Sequence, residues 1–142
     1  MAVTLTPCAN EPELSDPAVT GEFAAEMASL AQVENVPPFC GYVGRQDGVP
    51  VGFGGFKGEP DESGAVEIGY LTFPLHVRRG VATQVAAGLV DIARHNGAVL
   101  VVAHTMPQPN ASTRVLEKNG FAHTGSAMDE DIGEAWRWEL AL

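Results

Sequence analysis

The chain has 142 residues and a mass of 14.9 kDa, enough for one hydrophobic core, and reads as a single domain over 1–142. With 45% hydrophobic and 18% charged residues it is not a disordered chain, and no apolar run reaches the ~18 residues of a membrane span. A net charge of −10 argues against nucleic acid as a partner, which leaves a soluble protein with neither a nucleic-acid nor a membrane partner.

The first residues, MAVTLTPCANEPEL, contain neither a basic region nor an apolar core of the kind that directs secretion. Cys8 and Cys40 have no CxxC spacing and no adjacent histidine, so two reduced thiols in a cytoplasmic protein are expected. After an initial strand, residues 11–36 hold a helical stretch, with Phe23, Met27, Leu30 and Ala31 along it. Pro12 and Pro17 reduce its start to a loop or a short helix, and Pro37-Pro38 ends it. FCGYVGRQ and VPVGFGGF then flank Asp47-Gly48, the signal of a tight hairpin, with Pro50 suited to an edge or a strand start.

A strand at 65–73 follows the loop KGEPDESG. Val66, Ile68 and Tyr70 face one way, and Glu67, Gly69, Leu71 and Phe73 the other. Residues 80–95 read as a helix with a stripe of Val81, Val85, Leu89 and Ile92, closed by Asn96-Gly97. The apolar run 98–103 has the composition of a strand buried on both faces. A helix at 111–119 ends at Asn119-Gly120, and two strands at 121–128 and 134–141 complete the chain. The order gives an α+β (mixed α/β) fold around a mixed sheet, with one helical crossover between the strands at 65–73 and 98–103.

Charge is unevenly spread. Residues 76–118 carry Arg78, Arg79, Arg94, Arg114 and Lys118 against Asp91 and Glu117, a local +3 that leaves −13 elsewhere. A basic island on an acidic protein reads as a pocket for a small polyanion, and the acidic surround suits a cationic second substrate or simply solubility. The island begins where a strand feeds HVRRGVAT, a glycine turn that opens a helix and frees backbone N–H groups for an anion.

VEIGYLTF, RRGVAT and, about 40 residues downstream, NASTRVLEKNGF together resemble the GNAT superfamily of acyl-CoA-dependent N-acyltransferases over nearly the whole chain. The third segment is similar to the branch that contains the ribosomal-protein alanine N-acetyltransferases. The resemblance implies a mostly antiparallel mixed sheet of six to seven strands, flanked by helices, in which the parallel pair splays. It also implies acetyl-CoA as co-substrate, no metal, and a homodimer as one option. By the same resemblance, residues 77–83 (Val77, Arg78, Arg79, Gly80, Val81, Ala82, Thr83) wrap the coenzyme A pyrophosphate, although Val77 stands where Gln or Arg is usual. A bulge at Gly69 would part the two strands, and the pantetheine arm would pair with Leu71, Thr72 and Phe73, where a free N–H could hold the developing oxyanion. Asn110 and Ser112 match a coenzyme-binding asparagine and a serine near the sulfur, or cap the helix. Arg114 would reach the phosphates or only solvent. Leu116 occupies the place of a tyrosine acid, so Ser112 is its substitute.

Acetyl transfer needs a neutral amine, an oxyanion donor and a proton for the thiolate. A lysine amine is neutral about once in 10³ at pH 7 and an α-amine about once in ten, so the need for a base depends on the acceptor. Glu67, the only acid between Gly64 and Arg78, is the expected base and a ligand for the incoming ammonium, or else an ordinary strand carboxylate. His104, at the C-terminal end of the buried strand, lines the acceptor pocket, relays a proton, or is a structural hydrogen-bonder. These residues fit direct N-acetylation in a ternary complex, of a protein or peptide α-amine or a small cationic amine. A coenzyme A-binding module without turnover is the alternative.

Overall fold

A computed structural model describes residues 2–9, 11–30 and 36–142. Seven strands form one sheet: β1 (Thr4–Pro7), β2 (Gly41–Gln46), β3 (Val49–Phe56), β4 (Ala65–Thr72), β5 (Leu100–Thr105), β6 (Ala122–Asp129) and β7 (Gly133–Ala141). Their spatial order is β1-β2-β3-β4-β5-β7-β6, and only β4 and β5 run parallel. Helix α3 (Val81–His95) makes the crossover between those two.

The hairpin forms at Asp47-Gly48 as expected, with both residues at positive φ, 52° and 80°. Pro50 lies opposite a register shift at Gly44/Arg45, and beyond the reach of β4, whose pairing with β3 begins at Gly52. A residue without an N–H loses no ladder bond there.

The helical region at the N-terminal end is more broken than its periodicity suggests. Pro12–Ser15 is a short 3-10 turn, α1 covers Pro17–Thr20, a second 3-10 turn follows at Gly21–Phe23, and α2 covers Ala24–Leu30. Proline at the first position of two of these segments starts each afresh. Leu30 is exposed at 39% rather than packed, and Ala31 lies outside the described residues. The buried run at 98–103 becomes a strand only from Leu100, because Val99 is exposed and its N–H is taken by Gly64 O.

Two cores lie on the two faces. Val81, Val85, Leu89 and Ala93 of α3 pack on Ile68, Val101 and Ala103. The helix can lie close because β3 has no side chain at Gly54, where a Cβ would stand 2.5 Å from Val85 Cγ1. On the other face Leu14, Met27, Val43 and Phe73 are buried with Phe53 and Leu71 against them. Each such buried side chain stabilises the fold by roughly 1.5–3 kcal/mol.

Candidate functional site

β4 and β5 are paired only from Ala65↔Leu100 to Ile68↔Ala103, although both strands continue. They part beyond Ile68. The register of β4 on β3 is unbroken through Gly69, so the parting involves no bulge in β4, contrary to expectation. Phe73 N–H donates to Val51 O at 2.9 Å and Lys57 N–H to Glu67 O at 2.9 Å. Odd-numbered residues of β4 therefore turn their backbone groups to β3, and even-numbered ones turn theirs to β5. In the gap the available amides are those of Tyr70 and Thr72. Leu71 and Phe73, expected to pair with a pantetheine arm, direct theirs away; Phe73 is also wholly buried in the second core.

The gap leads into a notch of about 540 Å³ that ends at the N-terminus of α3. Gly80 caps this helix in the left-handed conformation, φ 75°, and no side chain caps its amides. A Cβ at Gly80 would meet nothing within 4 Å, so the glycine serves the turn rather than making room. Of the expected coenzyme residues, Leu71, Thr72, Val77, Arg78, Gly80, Val81, Ala82, Thr83, Ser112 and Arg114 line the notch. Arg79 does not, and Asn110 does not. Asn110 instead caps α4 (Ala111–Lys118), its Oδ1 accepting from Thr113 N–H at 2.9 Å while Thr113 Oγ1 accepts from Asn110 N–H. Lys118, counted in the basic island but not among the expected coenzyme residues, is a further cation on the wall.

Two hydroxyls meet beside the gap. Tyr70 Oη lies 3.0 Å from Ser112 Oγ and 3.1 Å from Ser112 O. Burial pushes the tyrosine pKa up to about 12, against the opposing effect of the Ser112 hydrogen bond, so the phenol keeps its proton at neutral pH. Leu116, which replaces the tyrosine usual in α4, is fully buried. A phenol nonetheless stands beside α4, supplied from β4 and bonded to Ser112.

Glu67 lies on the opposite face of β4, in an ionic cluster. Its Oε2 is 2.9 Å from Lys57 Nζ and 3.6 Å from His104 Nδ1, and His104 Nδ1 is 2.9 Å from Asp129 Oδ2. Glu67 and His104, separated by 37 positions in the chain, are thus brought together. Lys57 and Asp129 were missed. Asp129 was hidden in the acidic turn DEDIGE, where its Oδ1 also accepts the N–H groups of Asp131 and Ile132. The hydrogen bond from His104, followed by that from the Asp131 amide, lowers its pKa to about 2. Burial would lower the pKa of Lys57, but the hydrogen bond and charge of Glu67, with Asp129 and Asp131, raise it on balance. Glu67, His104 and Asp129 offer ligand atoms within 4.8 Å of one another, a spacing that suits a cation, and the Lys57 ammonium supplies one. His104 Nε2 is buried with no hydrogen-bond partner.

The notch can hold an elongated polyanion at its basic, amide-lined end and a thioester at the Tyr70–Ser112 end. Among the described residues no helix is long and apolar enough to cross a membrane. Residues 6–122 match the model of an acetyltransferase (GNAT) domain. The chain is 38% identical over 72 residues to the uncharacterized N-acetyltransferase YjdG of Bacillus subtilis (strain 168), a match that covers 50% of this chain and 43% of that protein. Its fold is similar to that of RimL, a ribosomal L7/L12 alpha-N-protein acetyltransferase solved with coenzyme A, with TM-score 0.82, 15% identity and coverage of 100% and 95% of the two chains. It is also similar to the aminoglycoside acetyltransferase AAC(6')-Ib with coenzyme A, with TM-score 0.77, 18% identity and coverage of 99% and 95%. A match over most of the chain, on a fold whose one parallel strand pair parts above an uncapped helix, leaves one conclusion: the protein belongs to the GNAT acetyltransferase family.

Proposed function

We propose that this protein transfers the acetyl group of acetyl-CoA directly to an amine, without an acyl-enzyme. The observation that carries the reading is the parting of β4 from β5 beyond Ile68, above the free amides of α3. A thioester carrier supplies the activated acyl group and a diphosphate handle. The chain's part is to hold the handle at residues 80–83 with the cations Arg78, Arg114 and Lys118 on the wall. The amides of Tyr70 and Thr72 are free to pair with an amide-bearing arm as an added strand would.

In the transfer a C–N bond forms and the C–S bond breaks. Glu67, directly or through water, takes the proton of the attacking nitrogen. Lys57 and His104 keep that carboxylate in place. The Tyr70 phenol, joined to Ser112, keeps its proton and donates a hydrogen bond to the departing sulfur. A thiol pKa near 8.5 makes the thiolate a fair leaving group that solvent can protonate, so this donor assists rather than enables. The phenol also offers the hydroxyl that Leu116 lacks, which weakens the case for a binding module without turnover. The acceptor belongs to the amines: a protein or peptide α-amine, or a small cationic amine drawn by the acidic surround.

Calorimetry and thiol release test this together. Acetyl-CoA and CoA should bind, ATP should not, and free thiol should appear faster with an amine than without. Binding of ATP but not CoA contradicts the reading, and CoA binding with no amine-dependent release returns it to a binding module.

A further inference from the structure

Beside the ionic cluster, on the sheet face away from α3, lies a second cavity of about 650 Å³ that the transfer reading leaves unassigned. Its floor carries no side chains along one line. Gly41 is in register with Gly55, and Gly55 with Gly69, so three glycines lie side by side across β2, β3 and β4. A Cβ built at Gly69 would meet only Lys57 Cε, at 3.9 Å. Phe53 and Leu71, the next cross-strand pair on the same face, stand beside this floor. Leu30 and Val36, exposed at 39% and 63%, line it from the helical side.

The cavity joins the site at two places. Tyr70 and Leu71 line both it and the coenzyme notch, so an occupant reaches the thioester end. Lys57 lines both it and the recess that holds Glu67 and Asp129. The Lys57 ammonium already sits on Glu67, at 2.9 Å. Two carboxylates, Glu26 and Glu59, also line the cavity, but both are exposed and stay hydrated, whereas an ammonium set on the glycine floor between Phe53 and Leu71 would lose its hydration. Over that floor, affinity comes from apolar contact.

We propose that the acyl acceptor is a primary amine carrying one apolar body, aromatic or aliphatic, which lies on the glycine floor against Phe53 and Leu71 while its nitrogen points to Glu67. This rests on the acetyl-transfer reading and narrows its acceptor. The volume is in the range that encloses most of a compact organic molecule.

The test measures thiol release from acetyl-CoA by the full chain, with ethylamine, butylamine, hexylamine, phenethylamine, spermidine and kanamycin as acceptors. kcat/KM should climb by roughly fourfold per added methylene along the alkyl series. Phenethylamine should exceed spermidine and kanamycin by at least about tenfold. The Cβ of Gly69→Val meets nothing closer than Lys57 Cε at 3.9 Å, so Tm and acetyl-CoA affinity should hold. The KM for phenethylamine should rise about tenfold and that for ethylamine less than about twofold. A flat alkyl series, a preference for either polycation, or a Gly69→Val effect equal on both amines overturns the proposal. If kanamycin or spermidine is acetylated and phenethylamine is not, acetyl transfer stands and the apolar acceptor falls. No release with any amine while acetyl-CoA binds also overturns it, and no binding of acetyl-CoA removes the reading beneath it.

Discussion

The two ends of the site are built by different means. The coenzyme end is made of backbone: a glycine in the left-handed conformation, an uncapped helix, and a strand whose alternate amides face a gap. The proposed acceptor end is made of side chains, with Lys57, Glu67, His104 and Asp129 arriving from the β3–β4 loop, β4, β5 and the β6–β7 hairpin. A backbone grip depends on a few contiguous residues and tolerates a change such as Val77 in place of Gln or Arg. A side-chain cluster depends on partners scattered over 73 positions, from 57 to 129, and single replacements there should act strongly.

The largest effect should come from the acceptor end. Glu67→Gln should lower kcat by about 10²–10³-fold and flatten the acid limb of its pH profile, with the KM for acetyl-CoA nearly unchanged. A pH profile like that of the wild type would take the base role from Glu67. Next, Tyr70→Phe removes the phenol but keeps the ring, and kcat should fall about tenfold. Because the loss is in stabilisation of the departing thiolate, a substrate whose thiol has a lower pKa should restore most of the rate; no such rescue would reduce Tyr70 to packing.

The difference between the two ends also explains what could be read beforehand. The notch was legible because RRGVAT is one continuous segment whose glycine and following helix state their own geometry. Of the expected Leu71, Thr72 and Phe73, only Thr72 turns its amide to the gap, and Tyr70 stood outside the expectation, because a strand's side-chain alternation is visible in sequence, while the direction of its amides depends on which neighbour it pairs with first. Tyr70 reads as a core residue of an alternating strand, and only Ser112, 42 positions away, turns its hydroxyl into chemistry. Asp129 looked like one acid among several in DEDIGE, and its role appears only once β7 brings that hairpin beside β5. The three glycines of the cavity floor are separate in sequence and adjacent only across strands.

A smaller effect concerns stability. Asp129 has a folded pKa of about 2, below its ordinary 3.8, so its contribution is present in full above about pH 4 and is lost as pH falls through about 2. Asp129→Asn should cost on the order of 1 kcal/mol in urea unfolding at pH 7. The gap from wild type should close at pH 2; a constant gap would mean that the carboxylate charge is irrelevant. The smallest effect should separate two neighbours at the coenzyme end. Arg78→Ala should raise the KM for acetyl-CoA about threefold, and Arg79→Ala, whose side chain lies off the notch, should leave it unchanged. Equal effects would mean a diffuse charge field rather than a contact.

Amide hydrogen exchange, read residue by residue along β4 with and without CoA, goes most directly to the parted strands. Without CoA, Tyr70 and Thr72 should exchange quickly, while Leu71 and Phe73, bonded to β3, exchange slowly. With CoA, protection should appear at Tyr70, Thr72 and the first amides of α3 and nowhere else on the strand. Slow exchange at Tyr70 and Thr72 in the free protein, or no change in them when CoA is bound, would contradict the open gap on which the site depends.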